Sequence, residues 1–340
     1  MSRIFLLLAL LPVALAPVAL AQTASGTPDL SQVALDPSSV TGWTPDVAVR
    51  DEVWDVPQSA AAPDAPSELA WYETRFTRDG GHEVLTTRAT EARSDLADAY
   101  LQGLRHNALG QTPIQVGSVD SSRFGWRERD TATAVARPGS LTVELRLSGL
   151  LDADPVGDDQ ITTWLSDLLQ RASDAPMGPV FDWTQALPNQ PQPWMFVLDA
   201  GLVGSDWQQQ TGLELSAREQ DGQAASVTAA REFNRTGAFR RTLDSSATVF
   251  ASDDAATQAM TGPGTAIDAP ALGDDATAFR AAEGGVGHET PSVSYTVNVR
   301  RGDLVMTTQE TGVAWSLDSP GEAFALASAI DARASQLLSQ

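Results

Sequence analysis

The chain has 340 residues, with 22 cationic side chains (all of them Arg) against 44 acidic ones, three His and no Cys, for a formal charge of −22. At roughly 150 residues per domain this length suggests two domains, each able to bury its own core. The absence of Cys excludes a disulfide framework, a thiol nucleophile, a thiolate zinc site and a lipid-modified Cys. The acidic balance opposes nucleic-acid binding, which needs clustered cations.

Met1-Ser2-Arg3 precedes an apolar run from Ile4 to Ala21, broken by Pro12 and Pro17 and closed by Ala19-Leu20-Ala21. One cation, an apolar stretch and a small-x-small cleavage site describe a secretory signal over residues 1–21. A permanent membrane anchor is opposed by the two prolines and the cleavage site. The mature chain is therefore expected to be exported, with no stable membrane insertion after cleavage. Residues 22–42, rich in Ser, Thr, Pro and Asp, read as a loose leader. Strong acidity favours solubility and would attract a cationic partner while repelling an acidic substrate.

The first domain is expected over 43–175. Glu83–Thr90 is strand-like and leads into an Asp/Ala-rich helix over Glu91–Arg105. After the run from Thr131 to Ala136, Arg137-Pro138-Gly139-Ser140 signals a turn into Leu141–Leu147, whose strict alternation marks a half-buried strand. A helix follows, with Ile161, Trp164, Leu165, Leu168 and Ala172 on one face. Residues 176–193 read as a linker, because Pro176, Pro179, Pro188, Pro191 and Pro193 forbid a continuous helix or central strand. Within it, Phe181 and Trp183 could dock on a domain.

The second domain, 194–340, repeats that order. Ser245–Ser252 is strand-like, Asp253–Met260 helical, and Val293, Tyr295, Val297 and Val299 alternate with polar residues. Arg300-Arg301-Gly302-Asp303 turns the chain into Leu304–Thr307, and Ser319-Pro320 opens a helix bearing Ala323, Leu326, Ala327, Ile330 and Ala334. Offsets of 162 or 163 align the turn, the strand 83–90 and the closing helix across the halves. This predicts an internal duplication of roughly 130–145 residues per copy. The expected fold class is α+β: two similar α/β sandwiches, each an antiparallel sheet packed with helices.

Leu272-Gly273-Asp274-Asp275-Ala276-Thr277-Ala278-Phe279, followed by Val297-Asn298-Val299-Arg300-Arg301-Gly302-Asp303-Leu304-Val305, resembles the PsbP-like α/β-sandwich domains of bacterial envelope proteins. There a "GD-x-A" segment precedes a strand, a "v-R-x-G-x-l-v" hairpin and a C-terminal helix. The resemblance lies mainly within residues 272–338. It implies an extracytoplasmic domain, and most members of the family lack catalytic residues.

Candidate site residues are few. His82, His106 and His288 stand in separate contexts, with no metal-binding spacing between them. Asp152-Ala153-Asp154-Pro155-Val156-Gly157-Asp158-Asp159 resembles part of a calcium loop, but Val156 and Thr163 occupy ligand positions. Asp158 and Asp159 suit a helix start instead, and Asp253-Asp254 and Asp274-Asp275 read as cap and turn. Arg301-Gly302-Asp303 spells an adhesion tripeptide, yet it sits in a turn that recurs without the motif. Asn234-Arg235-Thr236 is a glycosylation sequon. Nine Trp are spread over the chain and suit core packing.

No catalytic, cofactor-binding or metal-binding residue is assigned, and no cofactor is expected. The reading is an exported, non-catalytic periplasmic or extracellular binding module. Its unknown envelope-protein or small-ligand partner would lie between the domains or on a sheet face. The alternative is a secreted carboxylate-dependent hydrolase, possibly calcium-assisted, which needs two convergent acids with one pKa raised.

Overall fold

The computed structural model describes residues 29–54, 68–92, 97–116, 122–139, 141–149, 156–175, 181–220, 223–235, 240–283 and 291–339. The signal over 1–21, Asp152–Pro155, linker residues 176–180 and His288 lie outside them.

Alternating apolar and polar residues build strands in both halves of the chain. The first half carries helix α1 (Leu30–Val33), strands β1 (Thr44–Trp54), β2 (Glu68–Arg78) and β3 (Glu83–Ala92), and helix α2 (Ala97–Asn107). Strands β4 (Thr112–Pro113), β5 (Arg123–Glu128), β6 (Thr131–Ala136) and β7 (Leu141–Ser148) and helix α3 (Asp158–Asp174) complete it. The second half runs α4 (Ala200–Val203), β8 (Gln208–Gln209), β9 (Leu213–Gln220), β10 (Gln223–Arg235), β11 (Arg241–Phe250) and α5 (Asp253–Gln258). It ends with β12 (Thr265–Ile267), β13 (Asp275–Glu283), β14 (Ser292–Arg301), β15 (Leu304–Val313) and α6 (Gly321–Leu338).

These strands form one 15-stranded antiparallel sheet, ordered β12-β13-β14-β15-β11-β10-β9-β1-β2-β3-β7-β6-β5-β4, with β8 beside β10. The expected pair of separate α+β sandwiches is thereby overturned. Strands β1 and β9 pair directly, from Ala48 opposite Glu219 to Trp54 opposite Leu213, and carry the sheet unbroken from one half into the other. Each half would otherwise expose an edge of unpaired N–H and C=O groups at this side, and joining the two edges satisfies both. Strand order outward from this seam follows the same path in both halves. Leu85 faces Leu147 as Leu243 faces Glu310. The strands therefore correspond at a different offset from the one suggested by matching 83–90 with 245–252.

Two hydrophobic clusters lie on one face of this sheet, one per half. Helix α3 inserts Ile161, Trp164, Leu165 and Leu168 into the first, where Trp164 meets Trp43 edge-on at 6.3 Å. Helix α6 inserts Ala323, Leu326, Ala327, Ile330 and Ala334 into the second. Residues 29–42 are not a loose end of leader: Leu30, Val33, Leu35 and Val40 are buried in the first cluster. Arg171 of α3 holds that segment, donating to Asp36 Oδ2 at 2.7 Å and to the Ala34 carbonyl at 3.2 Å. Arg333 of α6 reaches Asp199 Oδ2 at 2.8 Å in the corresponding place. Trp183, Phe196, Val197 and Leu198 pack into the second cluster. Pro193 opens a short 3₁₀ turn there that no long helix could replace.

Among the described residues, helices cover the opposite face only at its flanks. Leu101 of α2 packs on Trp126 and Val135, and Ala256 of α5 packs with Met260 on Val305. Among the described residues, no helix packs on this face over β2, β1, β9 and β10.

Candidate functional site

The helix-bearing face joins the two halves through Arg50 of β1. Its guanidinium lies over the rings of Phe181, at 4.2 Å, and Tyr72, at 5.0 Å, and faces Glu219 at 3.6 Å and Asp29 at 3.8 Å. Tyr72 donates its hydroxyl to Glu219 Oε2 at 3.2 Å, and burial pushes the phenol far above its ordinary range. Nearby, Glu52 and Glu91 flank Ala70 in one cross-strand row. Trp183 donates Nε1–H to Glu52 Oε2 at 2.7 Å. Burial, and then the charge of Glu52, raise Glu91. A shallow recess lies beside this row, lined by Trp183, Leu187, Pro191, Val227 and Val249. Its lining holds no carboxylate.

The open face shows a sharper contrast. In the first half its charges alternate across the strands: Glu73 stands opposite Arg88, and Arg88 opposite Glu144. Arg88 also covers the Trp71 ring at 4.4 Å. In the second half, Glu232 of β10 stands directly opposite Asp244 of β11. Glu214 of β9, opposite Ala230, is one same-face position away. Like charges directly opposed destabilise a sheet. Burial, and then Glu232, raise the pKa values of both Glu214 and Asp244. Among the described residues, no arginine pairs with these three carboxylates. Asn234, next along that face of β10, is only 6 % exposed, and its buried Oδ1 has no hydrogen-bond partner among the described residues. The three carboxylates make this a patch of negatively charged acceptors, suited to N–H donors carrying positive charge.

Comparison with known protein families, curated proteins and solved structures finds none that this chain matches.

The residues singled out from the sequence fall elsewhere. His82 follows a short exposed turn, and His106 is exposed in the last turn of α2. Asp158 is in the first turn of α3 and accepts from Arg127 Nη2 at 2.7 Å. The N-cap there is Gly157, so neither Asp158 nor Asp159 serves as the cap. Likewise Ser252, not Asp253, caps α5, through its side chain to Ala255 N. Arg301 is committed to Asp331 through two hydrogen bonds, of 2.6 and 3.0 Å, so it is not free to present an adhesion tripeptide. Asp274 accepts from Gly302 N at 2.7 Å, and Gly273 adopts φ +60° where a Cβ would meet the Arg300 carbonyl at 2.4 Å. The "GD" segment and the hairpin turn thus lock one another in place. Asn234 is buried within β10, away from any glycosylating enzyme. Trp43, Trp126, Trp164, Trp183 and Trp207 are buried, while Trp315 is 59 % exposed.

Among the described residues no group of three His, Asp or Glu is arranged to hold a metal ion. None of the described helices is long and apolar enough to cross a membrane. The carboxylate patch escaped sequence analysis because its members are about ten to twenty residues apart, each at an ordinary polar position of an alternating strand. Only strand register brings them together.

Proposed function

We propose that this protein is an exported, non-catalytic binding module, periplasmic or extracellular, whose partner contacts the open sheet face. The reading rests on the secretory pattern of residues 1–21 and the resemblance to PsbP-like envelope domains. The observation that carries it is the Glu214, Glu232 and Asp244 patch, which has no counter-charge among the described residues. The test is cross-linking of the mature chain in envelope extract, with mapping of the linked residues. Cross-links to a defined partner through β9, β10 and β11 support the proposal, and links confined to the helix-bearing face refute it.

One observation favours a second reading, a carboxylate-dependent hydrolase: Glu52 and Glu91 share a row, with Glu91 raised. A screen of glycosides and esters decides between them. Turnover that vanishes in both Glu52→Gln and Glu91→Gln, at unchanged melting temperature, would replace the binding-module reading.

A further inference from the structure

We infer that Glu310 is a proton-operated latch: neutral, it leaves Arg241 to grip the start of α6, and ionised, it draws Arg241 back onto β15. The inference is independent of the binding-module reading.

The first argument is that an acid stands where the fold does not need one. Glu310 is fully buried on the helix-bearing face, with Leu243 of β11 on one side and Tyr295 of β14 on the other. The corresponding strands of the first half set Leu147 against Leu85, and an apolar pair serves there. A buried carboxylate is costly unless its charge is paired and its oxygens are hydrogen-bonded. Glu310 is half satisfied: Oε1 accepts from Arg241 Nη1 at 3.1 Å, and the buried Oε2 has no partner among the described residues. A proton on Oε2 removes the charge and leaves that bond in place.

Charge balance is the second argument. Arg241 of β11 also donates to Glu322 Oε2 of α6, at 3.3 Å, and to the Ser316 carbonyl. Glu322 accepts in turn from Arg235 of β10 at 2.8 Å, and Arg235 reaches Asp206 at 3.3 Å. With Glu310 ionised, the carboxylates of Glu310, Glu322 and Asp206 meet the guanidiniums of Arg235 and Arg241, one negative charge in excess. With Glu310 protonated, the charges match. Burial and then Glu322 favour the neutral form, against the pull of Arg241 and Arg235.

The third argument supplies the part that moves. Arg241 pins both the connection from β15 to α6, through Ser316, and the first turn of α6, through Glu322. Its stem passes beside Gly312, its cross-strand partner, where a Cβ would lie 3.2 Å from Cγ. Glu310 and Glu322 thus compete for one guanidinium whose stem is held in place. Because the folded pKa of Glu310 is raised, the hold on α6 is complete below the ordinary Glu value and weakens as pH rises above it.

The test is hydrogen–deuterium exchange of the mature protein near pH 5 and at pH 7.5, with rates corrected for intrinsic exchange. Protection of the amides from Phe324 to Ala327 should fall about fivefold between the two, while that of residues 161–165 in α3 stays level. In Glu310→Gln, which cannot ionise, protection at 324–327 should be the same at both pH values. Glu310→Leu, which copies Leu147, is a second neutral variant and should behave alike. The inference is overturned if wild type shows no fall, if the fall persists in both neutral variants, or if α3 loses protection equally.

Discussion

Replacing Arg241 by Met should strand a buried charge. Glu310 of β15 is fully buried between Leu243 and Tyr295, and burial raises its pKa. Its Oε1 accepts from Arg241 Nη1 at 3.1 Å, while Oε2 has no partner among the described residues. Arg241 also donates to the Ser316 carbonyl and, at 3.3 Å, to Glu322 Oε2. Glu322 keeps other support, from Arg235 at 2.8 Å and from Trp207 Nε1 at 3.1 Å. The loss therefore falls mainly on Glu310. Removing one partner of a buried pair costs about 3–5 kcal/mol. At about 2 °C per kcal/mol for a chain of this size, the melting temperature at pH 7.5 should fall by roughly 6–10 °C. Near pH 5 the deficit should shrink, because Glu310 can protonate and shed its charge. The other half indicates the repair: Leu147 faces Leu85 where Glu310 faces Leu243. Arg241→Met/Glu310→Leu should regain most of the loss, since an apolar pair often replaces a buried ion pair without penalty. Calorimetric melts of the three proteins at both pH values check this. A double variant melting as low as the single one would refute the reasoning.

Asp36 is held at about 2 by the Ser38 hydroxyl and by Arg171. Because its folded pKa is depressed, its stabilisation is complete above the ordinary value near 4 and disappears as pH falls towards 2. Asp36→Asn should cost about 1 kcal/mol at pH 7, discounted for its partial exposure, and nothing at pH 2 by denaturant titration. Asp244 is shifted upward, so its penalty grows as pH rises above the ordinary carboxylate value and vanishes in acid. Asp244→Asn should raise the melting temperature by about 1–2 °C at pH 7 and not at pH 3. Leu168→Ala empties a fully enclosed site under α3 and should cost about 3 kcal/mol in guanidinium unfolding. Calcium and a chelator should leave the melting curve unchanged, because Asp158 is already engaged by Arg127; a rise with calcium would reopen the loop as a site.

The elements that sequence patterns located well are those whose signal is local. Alternation in 141–147 and helical spacing from Ile161 to Leu168 each report which face is buried, and those residues are buried. The Arg300–Leu304 turn is as readable, because Gly302 and its neighbours carry their own conformational preference. Proline content read the other way. It correctly forbids a long helix between 181 and 193, but a chain without long elements can still be buried, as Trp183 and Phe196 are. The leader failed for a similar reason. Ser, Pro and Asp dominate its composition, yet Leu30, Val33 and Val40 sit at intervals that dock on α3 once Arg171 binds Asp36.

By itself, then, the amino-acid order determined several of the strands, the two closing helices, their buried faces and the turn chemistry between them. Tertiary structure alone decided that β1 and β9 share hydrogen bonds and merge the two halves into one sheet. It alone decided that Glu214, Glu232 and Asp244 come to lie side by side. The reason is that side-chain periodicity records which face of a strand meets the core. The edges of a strand offer the same backbone N–H and C=O groups whatever the side chains, so neighbours across an edge are settled only when the whole sheet assembles.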